Sequence, residues 1–120
     1  MKILRGDIFL AKFFEFPHES KVNEKQRPVL VIQNDEDNQH PNYPFIIVLP
    51  ITTKKTQKIY KQDVVISKGV QGLSKDSKIL CGIIRTIRKE DLITKIGKVN
   101  YKTLADVNIK LFRQLGYLER

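Results

Sequence analysis

Arginine and threonine side chains stand next to several apolar segments of this chain, where a folded sheet would present them to a ligand. They are Arg27, Thr52, Thr53 and Arg85. A planar guanidinium can form two parallel hydrogen bonds with a phosphate, and a threonine hydroxyl can add another. Pro28 follows Arg27 directly and stiffens the backbone there. We therefore expect Arg27 to face a phosphate group, with Thr52 beside it.

Structural roles are the alternative for the same residues. Arg27 would then form an ion pair with Glu24 or Asp7, and Thr52 would be an ordinary residue of a strand. For each residue taken alone, the structural role is the commoner one.

Short apolar segments separated by polar turns predict the elements that hold these residues. Strands are expected at 5–14, 29–33, 45–52, 63–67, 78–87 and 95–99, exposed loops at 17–26 and 34–44, and a helical turn at 89–92. Pro50 indicates a bulge or a sheet edge, because proline cannot donate to a ladder. Gly82 indicates a bulge or a close backbone approach.

The spacing of apolar residues changes near the end of the chain and predicts an amphipathic helix over 103–115. Thr103, followed by Asp106, is expected to cap its start, and Gly116 is expected to end it. One helix after a series of short strands indicates an α+β, mainly β fold. We expect a single domain over residues 1–120, a small barrel whose open side the helix covers.

Composition narrows the classes of function. The 120 residues include 22 Lys and Arg against 13 Asp and Glu, a formal net charge of +9 that favours a nucleic-acid partner or serves only solubility. Cys81 is the one cysteine, and His18 and His40 lie in predicted loops, so we expect no disulfide, metal or cofactor. The apolar runs are too short to span a membrane, and the cytoplasm is the expected location.

Six segments, taken in order, resemble the MazF/PemK family of toxin–antitoxin ribonucleases over nearly the whole chain. They are RGDIFLAKF at 5–13, RPVLVIQND at 27–35, LPITTK at 49–54, GLSKDSKI at 72–79, IIRTIRKEDL at 83–92, and the closing helix. The resemblance implies an SH3-like barrel of the MazF and CcdB type with a C-terminal helix, present as a homodimer. It also implies metal-independent cleavage of single-stranded RNA at short sequences, and a cognate antitoxin that blocks the groove.

The resemblance implies roles for particular residues. The family's catalytic arginine corresponds to Arg27 and its catalytic threonine to Thr52. The general base stays open among the residues of the loop before Arg27, namely His18, Glu19 and Glu24. RNA binding is expected from Thr53, Lys54, Lys55, Lys58 and Arg85, although Arg85 could equally be structural.

The chain departs from the family pattern just before Arg85. Gly82 and Ile83 stand where many relatives carry an acid and a glutamine, and Arg88 stands where relatives usually have Asp. An Arg27 and Thr52 mechanism survives this change, whereas one that needs the missing carboxylate does not. The alternative functions are therefore a catalytically degenerate RNA-binding or gyrase-inhibiting module like CcdB, and, more weakly, a peptide-binding adaptor.

Overall fold

The computed structural model describes residues 1–12, 26–54, 56–69 and 71–118. Most of the predicted loop at 17–26, with the candidate bases His18, Glu19 and Glu24, therefore lies outside the described residues, as does Lys55. No helix in these ranges is long and apolar enough to cross a membrane.

An antiparallel sheet of seven strands forms most of the described structure. The strands are β1 (Asp7–Lys12), β2 (Gln26–Val31), β3 (Phe45–Thr52), β4 (Asp63–Ile66), β5 (Ser77–Leu80), β6 (Arg85–Arg88) and β7 (Leu92–Lys98). Their order is β4-β5-β3-β2-β1-β7, and β6 is attached to β3. The predicted mainly β fold with a C-terminal helix is confirmed. Strands β4 and β7 do not pair with each other in the described part of the chain, so the barrel-like sheet is not closed.

The predicted strand over 78–87 is wrong, because the chain turns between β5 and β6. The turn lies at Cys81 and Gly82, where the Ile83 amide donates to the Leu80 carbonyl at 3.1 Å. The two halves pair with different parts of β3: Ile79 lies opposite Ile51, and Arg85 lies opposite Val48.

Pro50 lies between those two pairings, opposite Val29 of β2. On its other edge, β3 pairs with β6 up to Val48 and with β5 from Ile51 onward. A residue without an N–H group therefore fits at Pro50, because the ladder on that edge is interrupted there.

The predicted loop at 34–44 contains a short helix, α1 (Asp35–Gln39). The Asn34 side chain accepts a hydrogen bond from the Asp37 amide at 2.9 Å and caps its start. Asn38 is buried and bonds the Gln33 carbonyl through its side-chain amide at 2.8 Å. The expectation of a wholly exposed loop is wrong, because local side-chain bonds fold this polar segment onto the sheet.

The C-terminal helix, α2, covers Tyr101–Gln114 and confirms the prediction from apolar spacing. Its cap is Asn100, whose side-chain oxygen accepts from the Thr103 amide at 2.8 Å, so Thr103 is the bonded residue and not the predicted cap. Gly116, at φ +85°, reverses the chain after the helix, as predicted.

Apolar side chains form two clusters on opposite faces of the sheet. The helix-side cluster includes Leu30, Leu49, Ile51 and Ile79, with Val107 and Leu111 of α2. The second cluster comprises Ile3, Phe9, Ala11, Val29, Val31, Ile46, Val48 and Leu92. Successive residues of a strand point to opposite faces of the sheet. A strand residue two or four positions from a member of one cluster therefore points to the same face as that cluster.

Candidate nucleic-acid site

Arg27 lies near the start of β2, two residues before the buried Val29. It is half-buried and lies opposite Ala11 of β1. Alternation along β2 puts it on the face of the second cluster, to which Val29 and Val31 belong. Arg27 therefore lies at the rim of that cluster, near the start of β2.

Thr52 is the last residue of β3 and is also half-buried. The β2–β3 register pairs Val31 with Val48 and Val29 with Pro50, and its continuation by two residues leads to Arg27 and Thr52. Thr52 is an even number of residues from Val48, so both residues point to the face of the second cluster. Side chains at such opposite positions are close neighbours in antiparallel sheets.

Arg85 begins β6, whereas the predicted strand over 78–87 would have put it near the end of that strand. It lies opposite Val48, on the same face as Arg27 and Thr52. Val48 precedes Thr52 by four residues, so Arg85 is roughly 13 Å along β3 from the threonine. The three residues share a face, but Arg85 lies farther along the sheet than Arg27.

The connection after β3, residues 53–62, carries the other predicted RNA-binding residues. Thr53, Lys54 and Lys58 are exposed in it. The Lys54 amide donates to the Thr52 hydroxyl oxygen at 3.1 Å, so the connection starts with a turn closed by the threonine.

A buried lysine beside Thr52 was not predicted. Lys78 of β5 lies directly opposite Thr52 and is 4% exposed. Its Nζ bonds Asp63 Oδ2 at 3.2 Å and the Lys58 carbonyl at 2.6 Å. The signal in the sequence was a lysine between Ser77 and Ile79 in an otherwise apolar strand. A lysine buried there needs a polar partner, and only the fold identifies that partner.

The two residues that break the family pattern lie in the turn between β5 and β6. Gly82 packs against Gln62, whose Cβ and Cγ would lie 3.4 Å from a Cβ added at the glycine. Ile83 is half-buried. The Gln62 side chain thus fills space beside the position that carries an acid in many relatives.

Asp7, one of the two ion-pair partners considered for Arg27, interacts elsewhere. Its Oδ1 pairs with Lys95 Nζ at 3.0 Å, and its Oδ2 accepts from the Leu4 amide at 2.9 Å. The other considered partner, Glu24, lies outside the described residues. Within residues 1–12, 26–54, 56–69 and 71–118, no group of three His, Cys, Asp or Glu side chains is arranged to hold a metal ion.

A sequence model of PemK-like, MazF-like toxins of type II toxin–antitoxin systems matches residues 4–115. This chain belongs to that family. A protein described as Endoribonuclease MazF, from Staphylococcus saprophyticus, is 35% identical over 112 residues, which are 93% of this chain and 90% of the relative. The resemblance to the MazF/PemK family is therefore confirmed over nearly the full length.

Solved structures of MazF-like proteins share the fold. A mycobacterial endoribonuclease in complex with its cognate antitoxin matches with a TM-score of 0.76 and 20% identity, over 98% of this chain and 99% of that one. A MazE–MazF structure from Deinococcus radiodurans matches with a TM-score of 0.72 and 20% identity, over 97% of both chains. At this identity the likeness supports the MazF-like fold.

Proposed function

We propose that this toxin-family protein is an endoribonuclease that cleaves single-stranded RNA without a metal, with Arg27 and Thr52 at the reacting phosphate. The observation that carries the proposal is the position of these two residues at the same end of the β2–β3 pair, on one face. The 35% identical relative is described as an endoribonuclease, which supports the same reaction class. The net charge of +9 suits a polyanionic substrate.

The proposed reaction is an in-line attack of a ribose 2′-oxygen on the neighbouring phosphorus. The 2′-hydroxyl loses its proton to a base, the new O–P bond forms, and the P–O5′ bond breaks. The leaving 5′-oxygen then takes up a proton from water, and the base returns its proton to solvent. The products are a 2′,3′-cyclic phosphate and a 5′-hydroxyl, and no oxidation or reduction occurs.

Arg27 is assigned to the charge that develops on the phosphoryl oxygens. An arginine side chain carries five N–H donors and no acceptor, so the role assigned to Arg27 is that of a fixed donor and positive charge and not of a base. It also donates a hydrogen bond toward the leaving 5′-oxygen. Its half-buried position reduces competition from water and strengthens each hydrogen bond to a charged oxygen.

Thr52 is assigned to holding a phosphate oxygen. The hydroxyl oxygen already accepts from the Lys54 amide at 3.1 Å, which leaves the hydroxyl proton to donate outward. Such a donor fixes the phosphate in register with Arg27. The general base remains a choice between His18 and Glu24, with Glu19 as a further candidate in the same loop.

Thr53, Lys54, Lys55, Lys58 and Arg85 are proposed to contact the RNA backbone on either side of the cleaved bond. The described lysines of this set are exposed on the connection that starts at Thr52. Phosphate contacts of this kind orient the strand and make binding salt-dependent. The proposed regulators and partners are an acidic cognate antitoxin, which would cover this basic surface, and a second copy of the chain in a homodimer.

The test incubates purified protein with a mixed-sequence pool of single-stranded RNA in excess EDTA. We expect cleavage, and the new 5′ ends should accept phosphate from a polynucleotide kinase without prior phosphatase treatment. Sequencing those ends identifies the cleaved motif. Arg27→Lys is the matched variant, because it keeps the charge but lacks the planar fork, and we expect it to lose most of the activity. RNA that stays intact across varied sequences would contradict the proposal.

The second candidate function is a non-cleaving relative that binds RNA or inhibits gyrase as CcdB does. It is favoured by Gly82 and Ile83, which supply no carboxylate where many relatives have one, and by the Gln62 side chain packed beside Gly82. Expression in a bacterial host distinguishes the two. Growth arrest with decay of mRNA supports the ribonuclease, whereas arrest with DNA damage supports the gyrase inhibitor.

A further inference from the structure

Lys78 and Asp63 form an ion pair buried under the connection that follows Thr52. Their side chains are each 5% exposed, and Lys78 Nζ lies 3.2 Å from Asp63 Oδ2. Charged residues are rarely buried to this degree unless they are paired. A well-packed apolar pair of similar volume is often at least as stabilising as a buried ion pair, so stability alone is a weak reason for this one.

The pair joins the end of the connection to the sheet through several bonds. Lys78 Nζ donates to the Lys58 carbonyl at 2.6 Å. Asp63 Oδ2 accepts from the Tyr60 amide at 2.9 Å, and the Asp63 amide donates to the Tyr60 carbonyl at 3.0 Å. These bonds leave few alternative positions for residues 58–63, because each directional contact must be broken before the segment can shift.

The Tyr60 ring completes the arrangement on the surface. Lys78 Nζ lies 5.6 Å from the ring centroid and Lys58 Nζ lies 5.5 Å from it, both within the range of cation–π attraction. The buried cation and the exposed cation therefore contact the same ring. Through that ring, the position of the buried lysine constrains the direction of the Lys58 side chain.

The connection also returns to its starting point. It leaves β3 at Thr52, whose hydroxyl oxygen accepts from the Lys54 amide. It ends over Lys78, which is the cross-strand partner of Thr52 in β5. Both ends of the basic connection are thus held next to Thr52. The start is held by the Thr52 hydroxyl, and the end is held by Lys78, the cross-strand partner of Thr52.

We propose that Lys78 and Asp63 are positioning residues, which hold the basic connection so that Lys54 and Lys58 lie along the path of the RNA strand beside Thr52. This inference rests on the proposed function of the site. The pair acts through the connection and does not touch the reacting atoms. Its loss should therefore weaken RNA binding and leave the chemical step largely intact.

The main test variant is Lys78→Met combined with Asp63→Leu, which replaces the pair by apolar side chains and leaves the net charge unchanged. We expect the folded sheet to persist. Amide hydrogen exchange in residues 58–62 should rise by at least about tenfold, while exchange in β2 and β3 stays as in the wild type. KM for RNA should rise a few-fold, by no more than in a variant that lacks both Lys54 and Lys58, with kcat within about twofold, which corresponds to weaker uniform binding.

Lys68→Met is the matched control, because Lys68 is an exposed lysine outside the connection. It should change neither the exchange of residues 58–62 nor kcat. If the double variant does not fold, Lys78→Arg tests the same anchor, since it keeps a positive charge beside Asp63 and moves the donors away from the Lys58 carbonyl. It should raise exchange at the same amides by a smaller factor.

Unchanged exchange in residues 58–62 would overturn the proposal, and so would faster exchange with KM unchanged. A fall in kcat without a rise in KM would also overturn it, because the pair would then act on the chemistry. A wild-type protein that does not cut RNA would contradict the proposed function instead. Hydrogen exchange and the binding of RNA to the variant and wild type would still decide the role of the anchor.

Discussion

Two arginines near opposite ends of β1 have different surroundings. Arg5 precedes the strand, donates through Nε to the Ile32 carbonyl at 2.8 Å, and donates through Nη2 to Asn108 Oδ1 of α2 at 2.6 Å. Its backbone amide bonds Asp35 Oδ1 at 2.7 Å. Arg5 therefore joins the sheet to both helices.

Arg27 lies opposite Ala11 near the other end of β1, at the rim of the second cluster. The β2–β3 register, continued by two residues, leads from Arg27 to Thr52, and Lys78 lies opposite Thr52 in β5. Arg5 thus holds the fold together, whereas Arg27 is proposed to serve a ligand, and the comparison rests on the positions that the topology gives the two residues.

The largest expected effect is on catalysis, from Arg27→Ala. We expect kcat for RNA cleavage to fall by a factor of about 100 to 1,000, or about 3–4 kcal/mol, because a donor to the transition state is lost. The midpoint of thermal unfolding should stay close to that of the wild type. Activity assays and calorimetry on the same sample measure both. If Arg27→Ala were inactive because the protein is unfolded, Arg27 would have a structural role like that of Arg5, and the proposed difference between the two arginines would be wrong.

Arg5→Met should have the opposite profile. We expect the free energy of unfolding to fall by about 2 kcal/mol, since a hydrogen bond from a charged group contributes about 1.5–3 kcal/mol. Urea denaturation measures this loss. The kcat of the folded protein should be unchanged, and a loss of kcat comparable to that of Arg27→Ala would contradict the structural role of Arg5.

Cys81 provides an independent probe of the same distinction. Burial raises the pKa of its thiol to about 12, so the native protein has almost no thiolate at pH 8 and should resist alkylation by iodoacetamide. Arg5→Met should speed alkylation by about 30-fold, in proportion to the lost stability. Arg27→Ala should leave the rate unchanged. Equal acceleration in both variants would show that Arg27 also stabilises the fold.

The smallest effect is expected from the exposed lysines near Thr52. Replacing both Lys54 and Lys58 by Gln should raise KM a few-fold and reduce the salt slope of RNA binding by about 1.4, since each phosphate contact on a single strand contributes about 0.7. Binding measured between low and moderate salt gives the slope. Lys2→Gln with Lys98→Gln removes the same charge near Arg5 and should leave the slope unchanged.

The spacing of apolar residues along the chain predicted the elements that have a regular period, such as β3 and α2. Strand β3 was predicted at its observed bounds, and α2 was predicted to within two residues at its start. The helix period and the apolar alternation are properties of neighbouring residues, so they can be read without a fold. The same holds for Gly116, because a helix end requires a local reversal that glycine permits.

The turn at Cys81 and Gly82 was not predictable in this way. An apolar run continues across it, and only pairing with two separate parts of β3 divides the run into β5 and β6. Asn38 was likewise expected to be exposed, because it lies in a polar segment. Its burial follows from hydrogen bonds to Gln33, which the composition of the segment does not reveal. Pairing partners distant in sequence decided the first feature, and local side-chain bonds decided the second.

The sequence by itself determined the closing helix and the strands other than β5 and β6, the excess of positive charge, and the motifs that identify the family. Tertiary structure decided that Arg27 and Thr52 lie at the same end of the β2–β3 pair, that Arg85 lies farther along the sheet, and that Lys78 is buried against Asp63. The physical reason is that spacing along a chain sets which face a side chain occupies. Its partner across the sheet depends instead on a register between segments that are far apart in sequence.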